Sequence, residues 1–138
     1  MSEYVPVALR RKVTALAKEQ CEYCLFPAQM TKRPHEPDHI IPIQHRGKTE
    51  LINLALSCFL CNRHKGSNIA SYDEFTGALT PFFNPRADSW TEHFELVDGR
   101  INPKTDVGRV TAHILAFNSD KQVEERKLAW ALGLIVIP

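Results

Sequence analysis

The sequence lacks any apolar run approaching the ~20 residues of a membrane-spanning helix. Its opening stretch, MSEYVPVALRRK, has no signal-peptide apolar core, so a cytoplasmic protein is expected. Internal repeats, low-complexity tracts and long linkers are also missing, which predicts a single domain over residues 1–138. A strong charge of one sign is absent too. The net charge is +1 and the pI about 7.7, so the overall balance gives no support to nucleic-acid binding. What is present is ordinary for a globular protein, with 43% hydrophobic and 24% charged residues. A chain of 138 residues buries only a modest core, which a metal staple would reinforce.

Cysteine is scarce but not scattered. All four cysteines fall in two C-x-x-C pairs, Cys21–Cys24 and Cys58–Cys61, with 33 residues between them. Two sulfurs on one tight turn grip one metal ion, and two such turns complete a tetrahedron. In a reducing compartment this spacing favours structural Zn²⁺ over disulfides. A redox C-x-x-C would explain one pair and leave the other idle. A four-cysteine site is closed to water and substrate, so any chemistry belongs beside it.

The segment between the pairs therefore has to hold structure of its own. Asp38 to Ile43 reads as a short strand that Pro42 confines to an edge or end. Gln44 to Glu50 reads as a polar loop pivoting on Gly47, and Leu51 to Leu56 as a buried return strand interrupted by Asn53. From Leu60 the run turns helical until Gly66. Charge is also uneven. Between residues 31 and 66, Lys32, Arg33, Arg46, Lys48, Arg63 and Lys65 outnumber Glu36, Asp38 and Glu50, leaving a local excess of three positive charges.

Strand, loop, strand and helix, tied at the base by zinc, make the segment Cys21 to Gly66 resemble the HNH endonuclease family, the ββα-metal nucleases. The resemblance rests on CEYC, then DHIIP, then Gly47 followed by Asn53-Leu54, then CFLCNRHK, in the family's order. Residues 81 to 118 also resemble the C-terminal extension of one bacterial branch of that family. The implied fold is α+β: a zinc-stapled ββα-metal core over about residues 18–72, led by a helix, with an extension over about 73–138 of a hairpin and helices.

Phosphodiester hydrolysis needs a nucleophilic water, a base, and positive charge on the phosphate and leaving oxygen. His39 fits the base, since neutral imidazole accepts protons near pH 7, and the resemblance assigns it that role. The resemblance makes Asp38 a ligand of a catalytic divalent cation, and its carboxylate suits Mg²⁺ or Mn²⁺. Neighbouring strand residues face opposite ways, so Asp38 and His39 share a site only at a bend or strand end. Asn62 stands where the family often has histidine, making an HNN variant whose amide oxygen can still bind a hard cation. The resemblance implies that Asn53 braces the loop and orients His39. Arg46, Lys48, Arg63, His64 and Lys65 are candidates for phosphate contact. His64 lies two residues past Asn62, nearly opposite on a helix. His35 has no assigned task, and His45 is a possible substrate contact.

Outside the core, residues 7–20 predict an amphipathic helix with Leu9, Val13, Leu16 and Gln20 at helical spacing. Residues 93–102 predict a hairpin about Asp98-Gly99. Thr105 predicts the cap of a helix presenting Val107, Val110, Ile114 and Phe117 on one face, and Ser119 with Gln122 a capping box for a last helix to about Leu132. Trp90 and Trp130 are expected in the core. The expected activity is metal-dependent cleavage of DNA, with RNA the second candidate substrate. The alternative is a zinc-stapled module that binds nucleic acid or protein without catalysis, for which Asp38, His39 and Asn62 together would be superfluous.

Overall fold

The computed structural model describes residues 4–138 as a mixture of short helices and three two-stranded antiparallel sheets. Helix α1 (Val7–Leu16) leads in, and strands β1 (Glu36–His39) and β2 (Leu54–Ser57) pair antiparallel, Glu36 opposite Ser57 and His39 opposite Leu54. Helix α2 (Phe59–Lys65) follows directly. The remainder comprises hairpin β3–β4 (Ala70–Tyr72, Leu79–Pro81), a short α3 (Trp90–His93), hairpin β5–β6 (Phe94–Val97, Arg100–Pro103), α4 (Asp106–Ile114) and α5 (Asp120–Ala131).

Local chemistry sets most of these boundaries. The side chain of Cys58 accepts from the Cys61 N–H at the start of α2, and Gly66 ends the helix at φ 53. Thr105 caps α4 by accepting from Gly108 N–H, as its position predicts. The Asp98-Gly99 turn forms with both residues at positive φ. Elsewhere the expected elements are shorter than drawn from sequence. Helix α1 stops at Leu16 because Lys18 and Glu19 adopt the left-handed conformation, each at φ 56. The first strand starts two residues earlier than expected and ends at His39, so Pro42 lies in a turn. Leu51–Asn53 forms a single 3₁₀ turn before β2. Helix α4 ends at Ile114, Ala116 turns left-handed at φ 52, and Phe117 reaches the core from beyond the helix. Ser119 sits at the N-cap of α5 without a side-chain bond, so the capping box does not form.

No two-stranded sheet stands alone in water. Here β2 contributes Ala55, and the β5–β6 hairpin Phe94 and Ile101, to one core that includes all four cysteines, Tyr23, Phe83, Trp90 and Phe117, while β3–β4 packs on α4. Phe83 meets Phe94 edge-to-face at 5.5 Å between centroids, a geometry worth ~1 kcal/mol beyond area burial. Trp90 is buried and its Nε1–H donates to Tyr23 O at 2.9 Å. Trp130 corrects the expectation. It is 51% exposed, because α5 turns Arg126 and Ala129 inward instead.

The segment after the core is clasped to the first cysteine turn. Glu22, inside CEYC, receives Arg86 Nη1 at 2.5 Å and Nη2 at 2.8 Å, and also accepts Leu56 N–H at 2.7 Å. This one carboxylate joins the knuckle, β2 and the extension. Among the described residues no helix is long and apolar enough to cross a membrane.

Candidate active site and metal centre

The sulfurs of Cys21, Cys24, Cys58 and Cys61 lie within 4.8 Å of one another, all buried. Cys24 Sγ and Cys58 Sγ are 3.7 Å apart. A tetrahedron with metal–sulfur bonds of about 2.3 Å has edges of roughly 3.8 Å, whereas a disulfide needs about 2.05 Å. In each pair the second cysteine's N–H points at the first cysteine's sulfur, at 3.4 Å. Four buried thiols cannot all ionise without a cation. Hydrogen bonding within the cluster holds Cys24 well below the usual thiol range and pushes Cys58 well above it. The set is placed to hold one tetrahedral ion, and thiolate donors in this geometry suit zinc.

Because α2 begins at the second pair, the metal site fixes where that helix points. Asn62 and Lys65, three apart, share one of its faces. Opposite lies the end of β1. Asp38, His39, Gln44, Asn62 and Ser67 line one cleft of about 530 Å³. Three of the candidate chemical residues therefore meet, although Asp38 and His39 are neighbours on a strand. The assigned strand ends at His39, and the Ile40 N–H bond to Asn53 O at 2.8 Å carries the same register one pair further, so the two residues share the cleft at the end of the strand.

His39 is nearly buried, with Nε2 and Thr49 Oγ1 2.8 Å apart. Thr49 escaped the sequence reading, since a threonine in a polar loop carries no signal of its partner. Asn53 accepts Ile41 N–H on Oδ1 at 2.9 Å, and its Nδ2 donates to Ile41 O at 3.0 Å and Lys48 O at 2.9 Å. It thus ties both ends of the loop that follows β1. Gly47 serves this loop by proximity and not as its pivot. A Cβ there would lie 1.6 Å from Ile41 O and 2.9 Å from Asn53 Nδ2, while the left-handed residue is Arg46, at φ 71.

Asp38 is mostly buried, and burial pushes its carboxyl above the ordinary range although Lys65 draws it back in part. Its Oδ2 lies 3.2 Å from Lys65 Nζ yet has no well-formed hydrogen bond. Lys65 is a candidate for phosphate contact by sequence. It is 2% exposed, and its ammonium donates to His39 O at 3.0 Å. Arg46, Lys48, Arg63 and His64 are exposed, outside the cleft lining. His45 is likewise exposed. His35 is buried with Nε2 2.8 Å from Phe26 O.

Residues 21–68 match the family model described as HNH endonuclease. No curated protein and no solved structure matches the chain. The matched span begins at the first cysteine and ends just beyond α2, so it contains the cysteine cluster, both strands of the cleft and the helix that closes it. Residues 21–68 are thus similar to an HNH endonuclease domain, and the four cysteines among them are set to hold a metal ion.

Proposed function

We propose that the chain is a metal-dependent endonuclease hydrolysing DNA phosphodiester bonds. One observation carries the reading: Asp38, His39 and Asn62 line the same cleft. His39 is the general base. In the Nε2–H tautomer, which donates to Thr49 Oγ1, the Nδ1 lone pair takes the proton of the attacking water. Asp38 and Asn62 would hold one Mg²⁺ or Mn²⁺. Their oxygen donors fit a hard cation, and the buried Asp38 Oδ2 lacks a hydrogen bond. Such an ion, when bound, supplies positive charge to the scissile phosphate and the leaving oxygen.

Asn53 braces the loop beside the base, and zinc at Cys21, Cys24, Cys58 and Cys61 sets the frame on which α2 presents Asn62. Arg46, Lys48, Arg63 and His64 bind backbone phosphate, which gives affinity without much base preference. Residues 1–138 act as one domain, in the cytoplasm.

The test is incubation of zinc-loaded protein with supercoiled plasmid, with and without Mg²⁺ or Mn²⁺, beside His39→Ala. Nicking should require the cation and fall by at least about 100-fold in the variant. Folded, zinc-bound protein that cuts neither DNA nor RNA with any of these metals would favour a non-catalytic zinc-stapled module that binds nucleic acid or protein.

A further inference from the structure

Lysine is among the residues least often fully buried, and burial without a partner discharges it. Lys65 is 2% exposed on the last turn of α2. Its ammonium makes two contacts across to β1: a hydrogen bond to His39 O at 3.0 Å and an ion pair with Asp38 Oδ2 at 3.2 Å. These are consecutive residues, one the proposed base and the other a proposed metal ligand. Lys65 reaches the carboxylate of one and the backbone of the other. It is also three residues from Asn62, the second proposed ligand, on the same helix face.

From this arrangement we infer that Lys65 is a positioning residue with a double effect: it fixes the base and the ligand carboxylate in place, and its positive charge competes with the divalent cation for Asp38. The inference rests on the metal-dependent reading of the same cleft. The first effect follows from the tether to His39 O, because small displacements of a reacting group are expensive in rate. The second follows from charge. A cation arriving at Asp38 shares that carboxylate with an ammonium already on it, and two positive charges in a part-buried site repel. Removing the ammonium should therefore tighten cation binding while slowing turnover. A purely structural lysine would give the reverse for the metal, since a loosened site binds more weakly.

The experiment measures Mn²⁺ affinity by electron paramagnetic resonance on zinc-loaded wild type, Lys65→Met, Lys65→Gln and Asp38→Asn. Lys65→Met should bind Mn²⁺ about tenfold more tightly, from the loss of one nearby like charge. At saturating metal its nicking rate should fall by about 100-fold. Lys65→Gln, which keeps a donor for His39 O, should tighten Mn²⁺ equally but retain more of the rate. Unchanged or weaker Mn²⁺ binding in either folded variant overturns the inference. Wild type supplies a readout independent of any variant's folding: the Lys65 ε-methylene resonance should shift saturably with Mg²⁺, and its indifference would also overturn the proposal. Asp38→Asn separates the two levels. If it binds Mn²⁺ as wild type does, the metal-site reading fails, and the inference with it. If it loses the ion while the lysine variants show no gain, only the role of Lys65 fails.

Discussion

At the scale of single residues, the site depends on contacts that its formal chemistry does not advertise. The Thr49 hydroxyl lies 2.8 Å from His39 Nε2, so with His39 as the proposed base Thr49→Val should lower the nicking rate about 10-fold with the zinc content unchanged. Gly47 stands where even a methyl group would strike Ile41 O. Gly47→Ala should therefore destabilise the zinc-loaded protein by about 3 kcal/mol, read from its urea midpoint, because backbone and not a yielding side chain is in the way. Sequence showed both C-x-x-C pairs clearly, since a metal knuckle is a local pattern written in four residues. It misplaced Trp130 and did not show the burial of Lys65, for a common reason. Burial is decided by which way a helix turns when it docks, and neither a lone lysine nor a lone tryptophan records that direction.

At the scale of elements, the cysteine cluster determines the aim of α2. Its first residues follow Cys58 directly, and Cys61 lies in its first turn. The paired strands are four residues long and, like other two-stranded pairs, would not persist alone. Structural zinc contributes on the order of 10 kcal/mol to small domains. Cys58→Ser or a strong chelator should thus abolish the near-ultraviolet circular dichroism of the aromatic core and all cleavage. Retention of either signal in metal-free protein would contradict this account. Hairpin β3–β4 has its own fastening. Arg109 Nε donates to Asp73 Oδ1 at 2.8 Å and Nη2 to Oδ2 at 3.1 Å. This guanidinium holds the Asp73 carboxyl well below the ordinary carboxylate range. A depressed native pKa means that the contribution is complete above the unfolded value of about 4 and declines as pH falls below it. The melting temperature gap between wild type and Asp73→Asn should accordingly be constant above about pH 5 and shrink on acidification. The ββα order was legible because its landmarks (the knuckles, the DHIIP run, Gly66) are local. Its exact strand ends were not, because left-handed residues and 3₁₀ turns leave no periodicity.

At the scale of the whole molecule, the extension is bound into the metal-bearing core and not merely appended to it. Glu22 receives a two-pronged contact from Arg86, with both side chains largely buried. Breaking such a pair strands a charge, so Arg86→Ala should destabilise the fold by about 3 kcal/mol, measurable by chemical denaturation. A conservative Arg86→Lys change loses the fork and should recover only part of that.

The bond from the Trp90 indole to Tyr23 O has a practical consequence of another kind. Tyr23 sits between Cys21 and Cys24, so the protein contains a buried fluorophore wired to its own metal knuckle. The only other tryptophan, Trp130, is half-exposed and emits from a wet environment. In a Trp130→Phe background the remaining emission should be blue-shifted when zinc is present and move to the red as a chelator empties the cluster. The loading state of the frame could then be followed optically, in real time and without a label.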